Sequence, residues 1–310
     1  GQIQTNTGVI TGRTVTIYAD EGAELTNSTS VLQLENSDMT IYDATITCPN
    51  TNTRGISSSD TTTSTRLTLD NVLIRGCRFG LSLGTGTLMM RHSTVTGSAA
   101  ANILSNNGTA ALAIEDSLIS DAGTGIDVAG GSLSLVRSRI INNSQTGVLV
   151  DGGAGISATA RILNNFFSRN GNNSDGFGAI FLRDVSVGSR VDFNSFASNI
   201  ASSANVGAGI NCIGSLVARN NILWGNVPQQ VAGTCTHAFS NIGPIGPLGG
   251  TNMNMDPMFV DAVNGDLHLA LGSPLLGKAD PTTDLSDLAA RDIDGEQRSS
   301  PTDIGADEVP

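Results

Sequence analysis

Residues 133–140 read Leu133-Ser134-Leu135-Val136-Arg137-Ser138-Arg139-Ile140, and residues 160–167 read Ala160-Arg161-Ile162-Leu163-Asn164-Asn165-Phe166-Phe167. Each holds an apolar residue, a small polar residue three places on and an apolar residue five places on: Leu135/Ser138/Ile140 and Ile162/Asn165/Phe167. The frame continues at Val191/Asn194/Phe196 and Val217/Asn220/Ile222. It appears earlier at Ile41/Ala44/Ile46, Leu69/Val72/Ile74, Met90/Ser93/Val95 and Ile114/Ser117/Ile119. Successive copies lie 21 to 29 residues apart, and Ile17 opens a ninth, degenerate copy. A repeat of this period identifies a stacked architecture.

The local pattern decides what is stacked. Leu67-Thr68-Leu69 and Leu133-Ser134-Leu135 alternate with the period of a strand. A second strand follows in most copies, usually opened by Gly: Gly80-Leu81-Ser82-Leu83, Gly125-Ile126-Asp127-Val128, Gly147-Val148-Leu149-Val150, Ala179-Ile180-Phe181-Leu182. A unit of two or three short strands has too small an apolar face to fold alone, so it stacks on its neighbours. Like stacked on like is a parallel β-helix. Nine coils at ~4.8 Å per strand make a rod of roughly 43 Å. The polar position of the frame falls at a turn, and its last three occupants, Asn165, Asn194 and Asn220, are expected to form an Asn ladder between coils.

The C-terminal segment carries an ordered set of motifs. Asp256-Pro257-Met258-Phe259 comes first, then Gly265-Asp266-Leu267-His268-Leu269 and Gly272-Ser273-Pro274. Asp292-Ile293-Asp294-Gly295 with Arg298, and Asp303-Ile304-Gly305-Ala306-Asp307-Glu308, complete it. The coils resemble the right-handed parallel β-helix proteins of the pectate-lyase-like superfamily. The C-terminal motifs resemble the bacterial choice-of-anchor Q proteins, which are exported and often carry a sorting tail. The resemblance and the rule for parallel crossovers imply a right-handed helix. Residues 1–30 are expected to form an N-terminal cap and first coil, 31–242 the coils, and 243–310 a capping segment over the last coil, whose strand edges would otherwise template aggregation. Pro244, Pro247, Gly249 and Gly250 mark a loop near 243–252, and Asp284 to Ala290 a helical turn.

Composition narrows the function. The chain has 310 residues, 39% of them apolar, with 16 basic and 28 acidic side chains for a formal charge of −12. An acidic surface disfavours nucleic acid, and no segment reaches the ~18 apolar residues of a membrane span. Aromatic residues make up 4%, which argues against a broad aromatic platform for sugars. Gly1 starts within mature-looking sequence and no sorting signal precedes Pro310, so the leader and the anchor are expected to have been removed or left out. Cys48 and Cys77 fall just after the aligned Ile46 and Ile74 of adjacent coils, and Cys212 and Cys235 lie about one coil apart. The coil register therefore predicts bridges 48–77 and 212–235, as in an exported chain. A monomer is expected.

Outward strand positions are the places for chemistry. Asp127 and Asp151, near the second strands of adjacent coils, are a carboxylate pair of the type that hydrolyses glycosides, though two positions out of register. Asp175, Arg183, Asp184, Arg190 and Asp192 cluster around the longest loop. Polysaccharide lyases of this fold neutralise a carboxylate, often with Asp-held calcium, and use a basic residue to take the C5 proton. The resemblance thus implies Asp184 and Asp192 as calcium ligands and Arg183 or Arg190 as base, an unusual role for a group that stays protonated. Asp292 and Asp294 offer another calcium pair, without the spacing of a calcium-binding loop; with Arg298, Asp303 and Glu308 they are expected to dock the tail. Leu104, Leu149 and Phe181 share an outward column, either under a loop or as a partner surface. The leading expectation is an exported, non-catalytic protein that presents a rigid face to a glycan or a surface protein. The alternative is a polysaccharide lyase or glycoside hydrolase, and function must be argued from the site.

Overall fold

The computed structural model describes residues 2–4, 9–20, 22–58, 65–153, 155–156, 158–244 and 249–310. The chain winds into a parallel β-solenoid of about nine turns. Every coil passes through three faces. The first face holds strands such as Thr65–Asp70, Gly86–Arg91 and Ala158–Leu163. The second is a parallel sheet of eleven three-residue strands, from Gln2–Gln4 to Asn241–Gly243. The third includes Phe79–Leu83, Thr146–Asp151 and Gly178–Arg183. In two coils the third and first faces run together, as Ala101–Glu115 and Thr124–Val136. Gly131 makes one of these corners possible: its φ is +75°, and a Cβ there would meet the Ala110 carbonyl oxygen at 2.2 Å.

Alternation builds the core. Leu67, Leu88, Leu112 and Leu133 are paired rung by rung on the first face, and all are buried. The next inward column runs Leu69, Met90, Ile114, Leu135, Ile162, Val191, Ala218 and His237. The sequence frame slips by one residue at Ala218. Val217 is the more apolar neighbour, yet it points outward and is 40% exposed, while Ala218 is buried. The coil's polar position is therefore Asn221, and Asn220 is not a ladder residue. Asn220 takes the corner before it with φ +55°, matching Arg137, Asn164 and Phe193 in earlier coils.

The ladder itself runs through Ser93, Ser117, Ser138, Asn165, Asn194, Asn221 and Ser240. Each backbone N–H donates to the side-chain oxygen of the next coil; Asn165 N, for example, donates to Asn194 Oδ1 at 3.0 Å. The Asn amides also donate to carbonyls of the coil behind, as Asn194 Nδ2 does to Ile162 O at 2.8 Å. A second ladder lines the next turn, with Asn143, Asn170, Asn199 and Asn226 linked in the same way and ending on Gln230. Its sequence signal is Asn-x4-Asn at 165/170, 194/199 and 221/226. Both bridges form between neighbouring coils, with Cα separations of 4.9 Å for Cys48–Cys77 and 5.6 Å for Cys212–Cys235.

The C-terminal segment touches the last coil first: Met253 pairs with Asn241, and Asn252 Oδ1 accepts Ser240 N at 3.1 Å. The remainder lies along the flank of the solenoid rather than over its end. Leu269, Leu275, Ala279, Ala289 and Ile304 pack against Leu163, Phe193 and Ile222, and Leu267, Ile293 and Ala306 against Phe166 and Ala197. Arg298 is its buried anchor. Its guanidinium donates to Glu308 Oε2 at 3.2 Å, to Asn164 Oδ1 at 2.8 Å and to Gly305 O at 2.8 Å, and lies 4.3 Å from the Phe193 ring centroid. Asp303 accepts from Gly277 N and Val309 N. The 284–290 turn is a short 3₁₀ helix, Leu288–Ala290. Pro247 of the expected 243–252 loop, and residues 1, 5–8 and 21 of the expected N-terminal cap, lie outside the described residues.

Candidate functional site

The first face carries a trough of about 420 Å³. Two outward columns form its floor. One runs Arg66, Thr87, Ala111, Ser132, Thr159; the other runs Thr68, Met89, Ala113, Ser134, Arg161. These side chains are outward because Leu67, Leu88, Leu112 and Leu133 between them fill the core. The small Ala111, Ala113, Ser132 and Ser134 at its centre leave a depression between the larger Arg66, Met89 and Arg161. Five rungs span four strand spacings, ~19 Å. The guanidinium groups mark diagonal corners. Arg66 pairs with Asp38 at 3.3 Å, and Arg161 with Asp287 at 2.8 Å. Asp287 also binds Arg190 at 2.8 Å, so the 3₁₀ turn closes the C-terminal end of the trough. The sequence reading weighed outward positions for charge rather than for size, and passed over these columns. Thr87, Ala111, Ser132 and Thr159, at one outward position on four successive coils, were the available signal.

The sequence-predicted residues are placed apart. Asp127 lies on the third face between Leu104 and Leu149, while Asp151 is opposite Ala129, so the two-place offset remains. Burial, then the charge of Asp151, raises the Asp127 carboxyl above its usual range. Asp151 is tied to Arg183 through Nε at 2.8 Å, and that hydrogen bond lowers its pKa. Asp175 is exposed on its loop and accepts from Asn172 and Ser174 of that loop and from Gln145 of the preceding coil. Phe177 of the same loop rests on Phe181, with centroids 4.5 Å apart, so the Leu104/Leu149/Phe181 column is partly roofed by the loop.

Asp184 and Asp192 do not make a calcium pair. Asp184 ends the third-face strand beside Val185 and Gly214, with its N–H on Ile213 O. Asp192 is on the first face, ion-paired with Arg190 at 2.9 Å and accepting Arg219 N at 3.1 Å. Burial pushes the Asp192 carboxyl up, and Arg190 works against that shift. Asp292 is engaged by the backbone: Oδ1 accepts Asp294 N and Glu296 N, and Oδ2 accepts Glu308 N. The residues named by the resemblance thus do not fit a lyase calcium site, and no reaction step is derived through one.

Among the described residues, one group of metal-capable side chains converges: His268, Asp294 and Asp307, with donor atoms within 4.8 Å of one another. His268 stands on the strand Asp266–Leu269 of the tail's antiparallel pair, edge-on to Phe166 with centroids 4.9 Å apart. Its Nε2 lies 2.9 Å from Asp294 Oδ2, and its Nδ1 hydrogen-bonds Asp266 Oδ1. Asp307 accepts Leu269 N at 2.8 Å, and burial lifts its pKa to about 6. Burial opposes the charged His268 imidazole; the hydrogen bond it donates to Asp266 and the charges of Asp294 and Asp307 outweigh it and raise the pKa. Asp294 also lines a cleft of about 490 Å³ between tail and second face, together with His92, Asp116, Arg137 and Arg139. Of His268, Asp294 and Asp307, all within the C-terminal motifs, only Asp294 is a metal candidate on sequence. The missed signal was Asp266-x-His268 in strand period, which puts both side chains on one side.

No protein-family model matches the chain and no curated protein matches it, so the choice-of-anchor Q resemblance rests on the C-terminal residues alone. Among solved structures, a crystal structure of pectate lyase Pel9A is similar over 100% of this chain and 88% of its own length, at 13% identity and a TM-score of 0.49.

Proposed function

We propose that this chain is an exported, non-catalytic β-solenoid that holds a neutral linear glycan along the first-face trough. The observation that carries the reading is the register of the floor. Five successive rungs repeat the same two outward columns at ~4.8 Å, and an extended pyranose chain laid along the axis advances by nearly that step. Sugars on four of the rungs would then meet the hydroxyls of Thr68, Thr87, Ser132, Ser134 or Thr159, while the exposed Met89 and the two alanines of the middle rung would lie beneath carbon faces. The flanking guanidiniums are each paired with a carboxylate, and the whole chain carries −12, so a neutral polymer suits the trough better than a polyanion. The two intercoil disulfides fit maturation in an oxidising compartment.

The test is affinity electrophoresis in gels cast with neutral or acidic polysaccharides, with and without calcium. The same mixtures are assayed for new reducing ends and unsaturated uronate absorbance. Retardation by a neutral linear polymer, without product, is expected. Product formation, or mobility unchanged by every neutral polymer, would overturn the reading.

A further inference from the structure

We propose that His268, Asp294 and Asp307 form a binding site for one divalent transition-metal ion, zinc foremost, at the edge where the tail meets the second face. This site is separate from the trough, and neither proposal depends on the other.

The donor set is the first argument. One imidazole nitrogen and two carboxylate oxygens, already within 4.8 Å of one another, form a three-ligand protein set that leaves a fourth position open. Two carboxylates match the charge of a divalent ion, and the nitrogen favours a transition metal over calcium.

The surroundings supply the second argument. Asp266, outside the ligand group, receives His268 Nδ1–H. With Nδ1–H on Asp266, Nε2 is the nitrogen aimed at Asp294 and Asp307; the proton it donates to Asp294 Oδ2 in the metal-free protein would leave on metal binding, giving the carboxylate–histidine arrangement typical behind metal-bound imidazoles. Asp307 is the third argument. It is 94% buried by its 6% exposure, yet its recorded hydrogen bond is a single one, from the neutral Leu269 N–H. No Lys or Arg pairs with it among the described residues, in a tail where buried Glu308 and Asp280 both have an Arg partner. Its cationic neighbour is His268, shared with Asp266 and Asp294, so the group holds more carboxylate than positive charge, and a divalent cation between Asp307 and His268 would balance it. Asp294 is exposed and sits on the turn between Arg291 and Gln297, so it is free to close on an ion. Asp294 also borders the 490 Å³ cleft, where Arg139 offers a guanidinium to an anionic group.

The test is calorimetric titration of chelator-treated full-length chain with zinc chloride and manganese chloride, with the three histidines followed by NMR. One equivalent of zinc should bind and shift the His268 ring signals, leaving those of His92 and His237 in place. Asp294→Asn should weaken binding at least tenfold. Asp266→Asn, at a residue that is not itself a ligand but orients His268, should weaken it about 10- to 100-fold. Absence of binding to the stripped protein, or equal binding by the wild type and both variants, would overturn the proposal. Binding that shifts His92 or His237 instead would do the same.

Discussion

The two halves of the solenoid hold their corners by different means. In coils 93 to 138 the first-turn ladder is Ser, and in coils 165 to 221 it is Asn. A Ser hydroxyl serves one carbonyl and one N–H: Ser117 Oγ donates to Glu115 O at 2.6 Å and accepts Ser93 N. An Asn side chain serves both neighbours as well as its own coil. Asn194 donates to Ile162 O, Asp192 O and Asn221 Oδ1, and accepts from the backbone and side-chain nitrogens of Asn165. At the second turn, the Cys48–Cys77 bridge clamps the early coils, and Asn143 to Asn226 link the later ones. The later coils are also the ones under the tail. The early half keeps its outer faces open and contains most of the trough; the later half is cross-linked and covered. Rigid stacking and accessible surface are thus divided between the two ends.

This division can be broken in graded steps. The largest effect is expected from Arg298→Ala, which leaves Glu308 buried without its cation. It should cost about 4 kcal/mol and free the tail for proteolysis while the coils stay folded, as read by denaturant midpoint and limited digestion. The Cys48→Ser/Cys77→Ser pair removes a cross-link of 29 residues' separation and should cost about 3.5 kcal/mol, with the loss confined to the early coils in hydrogen exchange.

Acid should act at the last coil. His237 fills an inward position there, and burial lowers its pKa to about 4. The unfolded chain takes up this proton below about 6.5, whereas the folded chain resists it until about 4. Stability is then full above the unfolded value and is lost as pH falls between the two, by as much as about 3 kcal/mol. Midpoints measured from pH 7 to pH 4 should show this slope, and His237→Leu should flatten it. The comparison between ladders is sharpened by Asn194→Ala against Ser117→Ala. The first strands several buried groups and should cost about 3 kcal/mol; the second should cost about 1 kcal/mol. Equal losses would remove the distinction between the two halves.

The solenoid was legible because its constraint is linear. Inward columns must be apolar at a fixed offset, so Leu135, Ile162 and Val191 identify one another, and two cysteines one coil apart become neighbours. The frame failed at 217–221 for a local reason. Val217-Ala218 and Asn220-Asn221 offer two registers, and the more apolar choice was the outward one. The ladder at Asn143 to Asn226 was present in the spacing but went unread because one polar column had already been assigned to the turns. The sites were less legible. Asp184 and Asp192 are eight positions apart in sequence but on different faces, whereas His268, Asp294 and Asp307 meet only through the fold of an irregular tail. The trough is defined by what Thr87, Ala111, Ala113 and Ser132 lack in bulk, which no search for charged or catalytic side chains detects.

The most direct measurement is a calorimetric length series of oligosaccharides from the polymer that retards the protein, titrated into wild type and Ala113→Trp. Ala113 lies at the centre of the floor between Met89 and Ser134, and its side chain is outward, so the variant fills the trough without entering the core. Affinity should rise with each added sugar until the chain spans the five rungs, then level off, and Ala113→Trp should abolish the rise. Affinity independent of length, or unchanged in Ala113→Trp, would contradict binding along the first face.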